Sequence, residues 1–141
     1  MDIFFQSEIK NFRFDWEERC RKWLLEVITV EERKLGRLVY NFVSKRRILY
    51  LNREFLNHDY FTDVITFDNG YMRVIEGEIF ICISVVRENA LESGQEDFRN
   101  EQARVIVHGL LHLIGYDDKI IKEKEIMRKK EDEYLSLLEK S

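Results

Sequence analysis

Apolar and polar positions along the chain change period several times, and each change marks an expected element. From Asp15 to Lys34, Trp16, Cys20, Trp23, Leu24 and Val27 recur at helical spacing among charged residues, which predicts an amphipathic helix near the N-terminus. After Gly36 the period becomes two. Leu38, Tyr40 and Phe42 alternate with Val39, Asn41 and Val43, and Ile48 to Leu51 form a second short apolar run after a charged turn, so two short strands are expected. Leu51 to Tyr60 reads as a short helix and a loop, and the β-branched stretch Asp63 to Asp68 as a third strand. In Glu76 to Ser84 both alternating faces are apolar, which predicts a fourth strand covered on both sides.

Three helices should follow. Val85 to Gly94 is the first, Glu96 to Gly115 a longer one with Gly115 at its C′ position, and Lys119 to Glu139 the last. The order is helix, four strands around a short helix, then three helices. It predicts an α+β fold, a single compact domain over residues 1–141 with one four-stranded mixed sheet packed by about five helices.

Composition narrows the class. Of 141 residues, 45% are hydrophobic and 35% charged, a globular balance, and no apolar run is long enough to span a membrane. The first twenty residues are interrupted by charges and carry no signal-peptide pattern, so a cytoplasmic protein is expected. Cys20 and Cys82 match no metal-ligand pair and are read as reduced packing residues. A net charge of −4 argues against nucleic-acid binding through overall positive charge. It leaves room for a local patch: Arg33, Lys34, Arg37, Lys45, Arg46 and Arg47 are opposed by no acid within their span. They are candidate RNA-binding residues or a solvated sheet edge, and Tyr40, Phe42 and Tyr50 beside them are candidates for stacking on bases or for the core.

Two of the three histidines, His108 and His112, lie four apart on the helix ending at Gly115 and therefore one turn apart on one face. Glu101 and Arg104 continue the same stripe, flanked by aliphatic residues. Gly115 reverses the chain, which lets Asp117 or Asp118 fold back toward the imidazoles. Two imidazoles, one carboxylate and an open position make the donor set of a catalytic zinc. Gly109 stands where zinc proteases of the His-Glu-x₂-His type carry their glutamate base.

The string HGLLHLIGYDD, His108 to Asp118, resembles the H-G-x-L-H-L-x-G-Y-D-H signature of the YbeY family at ten of eleven positions, free ones included. Leu51 to Phe67 is similar to the family's L-N-x-x-[YF]-R-x-x-D-x-x-T-D-V-L-S-F segment, Gly77 to Ser84 to its G-D-I-x-I-S strand, and Ile126 to Leu135 to its closing helix. The resemblance implies a zincin-like α+β fold, one bound zinc, and endonucleolytic cleavage of single-stranded RNA in 3′-end maturation of small-subunit ribosomal RNA. It also implies a role in ribosome assembly or quality control, with ribosomal RNA and the small subunit or its assembly proteins as partners.

Carried over, the resemblance makes His108, His112 and Asp118 the metal ligands. Aspartate at the third position departs from the family's histidine; it should make bound water less acidic and widen metal choice toward other divalent ions. Leu56 is a second departure. It stands where the family usually places an arginine, and Arg53 or His58 is a candidate substitute. Candidate catalytic residues are Asp117, to orient His112 or accept a proton rather than cap the last helix, and Arg104, to counter phosphate charge rather than pair with Glu101. Competing readings are an assembly factor with a structural metal, a zinc peptidase-like hydrolase, and an iron oxygenase.

Overall fold

The computed structural model describes residues 2–94 and 97–141. Its elements run β1 (Ile3–Ser7), α1 (Glu17–Val30), β2 (Lys34–Val43), α2 (Lys45–Leu56), β3 (Val64–Asp68), β4 (Val74–Cys82), α3 (Ile83–Glu92), α4 (Phe98–Ile114) and α5 (Ile121–Lys140). The four strands form one mixed sheet in the order β1-β2-β4-β3, with β1 and β4 parallel to β2 and β3 antiparallel to β4. The α+β class, the mixed sheet and the five helices agree with expectation.

Alternation along β2 and β4 sorts their side chains between two layers. Leu38, Tyr40, Phe42, Ile79 and Ile81 point into the main core with Trp23, Leu24, Ile106, Leu110 and Met127 of α1, α4 and α5. Val43, Phe80 and Cys82 point the other way, onto Ile48 and Leu51 of α2 and Val85 of α3. Buried polar bonds pin the helices to this frame: Tyr40 Oη donates to the Ile106 carbonyl at 2.8 Å and Trp23 Nε1 to the Tyr134 carbonyl at 2.8 Å. Both cysteines are buried free thiols, as expected of packing residues.

Two expectations fail. Ile48 to Leu51 is not a strand but the buried stripe of α2, whose N-cap Ser44 accepts a hydrogen bond from the Arg47 amide at 3.2 Å. Ile48 and Leu51 are three apart, a separation that packs one helix face as readily as it fills a strand. The missing strand is β1, which gains its backbone partners only from β2, more than 30 positions along the chain. The start expected at Glu96 for the long helix lies outside the described residues. Within them, α4 begins at Phe98, where the Asp97 side chain accepts from the Arg99 amide at 3.0 Å.

Candidate metal centre

From position 101 to 114 of α4 every residue is buried except Glu101, Arg104, His108 and His112. This single polar stripe runs along a helix that is otherwise core on all sides. Gly109, between the histidines, is there for packing: a Cβ would stand 2.9 Å from Ile79 Cγ2, so its absence lets α4 sit directly on β4. Gly115 takes φ +124° and donates its amide to the Leu111 and His112 carbonyls at 3.1 Å each. Few side-chain-bearing residues adopt that conformation, and it turns the chain sharply enough to return Asp118 to the stripe.

The three donor atoms form a nearly equilateral triangle. His108 Nε2 and His112 Nε2 are 3.1 Å apart, and Asp118 Oδ2 lies 3.3 Å from the first and 3.5 Å from the second. Ligand atoms about 2.05 Å from a tetrahedral ion stand about 3.3 Å from one another, so the donors present fit a small divalent cation. A second carboxylate supports the set. Glu131 of α5 places Oε2 2.6 Å from His108 Nδ1, which holds the ring with Nε2 toward the other donors. Arg104 in turn gives Nη1 to Glu131 and Nη2 to Asp132, both at 2.7 Å.

The electrostatics follow these contacts. Burial alone would lower the His108 pKa, but its bond to Glu131 and the nearby Asp118 and Asp63 carboxylates raise it. Burial likewise pushes Glu131 up, yet His108 and Arg104 hold it below the usual glutamate value. Asp63, at the mouth of β3, is raised by burial. It shares a cavity of about 160 Å³ with His108, Glu131, Arg104 and Arg128. A larger cavity of about 670 Å³ beside β1 contains none of the three donors.

The other predicted residues fall less neatly. Asp117 is exposed, with no partner among the described residues, and does not cap α5; Glu123 does, accepting from the Lys119 and Ile120 amides at 3.0 and 3.2 Å. Arg104 pairs with α5 rather than with Glu101. The six cations do not make one patch: β2, ten residues from Lys34 to Val43, holds Arg33 and Lys34 at one end about 30 Å from Lys45, Arg46 and Arg47 past the other, with Arg37 between, its guanidinium over Phe4. Tyr40 and Phe42 are fully buried and cannot stack on a base, while Tyr50 is exposed under the Arg47 guanidinium.

Leu56 closes α2 at the surface. Of its two candidate substitutes, Arg53 is paired with Asp59 and His58 is stacked on Tyr60. The segment from Leu51 to Phe67 thus ties itself together, because Asn52 Nδ2 also donates to Thr62 Oγ1 at 3.0 Å. Sequence reasoning missed Glu131. The signal was available: a carboxylate occupies a position of the apolar stripe Met127, Tyr134, Leu138 that faces the core.

An α+β fold whose sheet-packed helix offers two histidines one turn apart, with a carboxylate returned by a glycine turn, defines a candidate metallohydrolase. The model of the family described as endoribonuclease YbeY matches residues 3–139. The chain belongs to that family. It is 46% identical over 136 residues to the endoribonuclease YbeY of Cytophaga hutchinsonii, covering 96% of this chain and 94% of that one. It is 40% identical over 137 residues to that of Bacteroides thetaiotaomicron, covering 97% and 99%. Among solved structures, the solution structure of a Thermotoga maritima protein superposes with a TM-score of 0.71 at 31% identity, over 96% of this chain and 88% of that one.

Proposed function

We propose that this chain, as a single domain over residues 1–141, is a metal-dependent endoribonuclease that cuts single-stranded RNA. We place it in the cytoplasm, in 3′-end maturation of small-subunit ribosomal RNA and in ribosome assembly or quality control. The observation that carries the reading is the triangle of His108, His112 and Asp118, in a chain whose relatives bear the name endoribonuclease. Zinc suits two imidazoles and a carboxylate, and the carboxylate opens the site to other divalent ions. Among the described residues no helix is long and apolar enough to cross a membrane.

When bound, the ion supplies Lewis acidity toward a phosphoryl oxygen and lowers the pKa of water. The protein does the rest. His108, His112 and Asp118 bind the ion, Glu131 fixes the His108 tautomer and Arg104 fixes Glu131, which makes Arg104 a positioning residue. Asp117, exposed next to Asp118 in the chain, would accept the proton that the attacking hydroxyl gives up. Arg128 brings positive charge to the cavity that His108 lines, where a phosphodiester would carry its charge. Lys45, Arg46 and Arg47, at the start of α2, would meet the RNA backbone, and Arg33, Lys34 and Arg37 form a separate group.

Leu56, which offers no donor to phosphate, favours a second reading: a ribosome assembly factor whose metal is structural. Cleavage of a single-stranded ribosomal RNA 3′-end fragment decides between them. Wild type loaded with metal should carry about one ion and cut, and His112→Ala should lose both ion and cleavage. A wild type that holds the ion and never cuts would leave the assembly reading.

A further inference from the structure

The loop between α2 and β3 exposes aromatic rings where a chain of this size ordinarily hides them. Phe55, Tyr60 and Phe61 are 62%, 53% and 47% exposed, within seven residues of one another. A cluster of this kind on a protein surface marks a binding site more often than a packing accident. The rings are held in place. The His58 ring lies parallel to that of Tyr60, 4.9 Å between centroids and 16° between planes, and the Lys45 ammonium stands 5.3 Å from the centre of the Phe61 ring.

The loop beneath them is braced at both ends. Asn57 ends α2 in the left-handed conformation, and the His58 amide donates to the Asn52 carbonyl at 3.0 Å. Asn52 reaches Thr62 across the loop, and Arg53 pairs with Asp59 within it. Two residues beyond Phe61 comes Asp63, in the cavity shared with His108. Three residues of extended chain reach at most about 11 Å, so Tyr60 lies that close to Asp63. Arg46, exposed and free of any ion pair among the described residues, supplies a positive charge on the same helix as the braced end of the loop.

We propose that His58, Tyr60 and Phe61 form a stacking platform for the bases of single-stranded RNA next to the metal centre. The inference rests on the endoribonuclease reading and adds to it the way the substrate is held. Flat rings presented on a fixed loop with a lysine beside them recognise unpaired bases without reading their sequence. A paired base offers no free face, so the platform also excludes duplex from the site. Preorganisation matters here, because a loop tied by Asn52 and Arg53 has little freedom left to lose when a base settles on it.

The test uses the full-length holoprotein and a fluorescent 2′-O-methyl RNA oligomer, single-stranded or annealed, with its integrity checked on a gel. Tyr60→Ala and Phe61→Ala should each weaken binding of the single strand roughly 5- to 100-fold. Tyr60→Trp should bind like wild type, and metal content and thermal unfolding should not change in any of the three. Arg46→Ala should instead reduce the slope of log Kd against log salt by about one. Single-strand affinity unchanged in both alanine variants, or duplex bound as tightly as single strand, overturns the platform. Alanine variants that keep RNA affinity but no longer capture ribosomal proteins assign the rings to a protein partner and overturn it as well. The outcomes separate from those of the cleavage assay: a wild type that never cuts but loses RNA with Tyr60→Ala keeps the platform and loses the nuclease.

Discussion

At the scale of single residues, the candidate metal centre depends on side chains outside its three donors. Glu131 is buried against His108 and Arg104, and outer carboxylates of this kind typically set ligand basicity and orientation. Glu131→Gln keeps a hydrogen-bond acceptor and loses the charge, so metal affinity should fall about 10- to 100-fold in a chelator competition, while circular dichroism shows the fold retained. Asp118→His completes the three-imidazole set the family signature carries. That variant should hold zinc at least as tightly as wild type and lose affinity for manganese, read by titrating both ions into the stripped protein.

At the scale of elements, α4 is the piece on which the site stands, and its distance from β4 is set by one missing methyl. In Gly109→Ala the new Cβ meets Ile79 at 2.9 Å, in a core where Ile79 is wholly buried, so α4 must ride up or Ile79 must leave its rotamer. The expected cost is about 1–3 kcal/mol in urea unfolding. Combined with Ile79→Ala, the two losses should sum to less than their separate values, because the second change removes the atoms the first collides with. Pairing of Gly109 with Ile79 also explains why a glycine, and not a glutamate base, stands between the histidines.

At the scale of the molecule, Glu31 joins three distant stretches of chain. It follows the last residue of α1 and accepts hydrogen bonds from Tyr116 at 2.8 Å, from Lys130 at 3.2 Å and from Tyr134, tying α1 to the turn after α4 and to α5. Burial alone would raise its pKa, but the two tyrosines and Lys130 outweigh that and hold it below the ordinary glutamate value. A carboxyl with a depressed folded pKa contributes stability that is complete above its unfolded pKa and is lost as pH falls through the folded one. Wild type should therefore exceed Glu31→Gln in stability by most near neutral pH. The gap should close as the solution is taken below the usual carboxylate range, and urea unfolding at a series of pH values measures it.

Much of the protein was legible in its amino-acid order, and the legible part is local. A histidine pair four apart must share a helix face, and a glycine at C′ must turn the chain, so His108, His112 and the return of an aspartate needed only helix geometry. The long strand β4 was equally plain, because a strand buried on both faces is apolar on both. What local pattern left open was decided by partners far along the chain. The five residues of β1 become a strand through β2, and Ile48 and Leu51 belong to a helix because Ile65, Phe80 and Val85 offer a surface for one helix face. Glu131 stands out as a carboxylate on the apolar face of α5, but only packing brings it to His108, 23 residues away. The cations of β2 and α2 read as one patch until the strand between them is seen at full length. Periodicity is written into neighbouring residues, whereas the second carboxylate, the split of the positive charge and the exposed rings of the 58–61 loop arise only where separate elements meet.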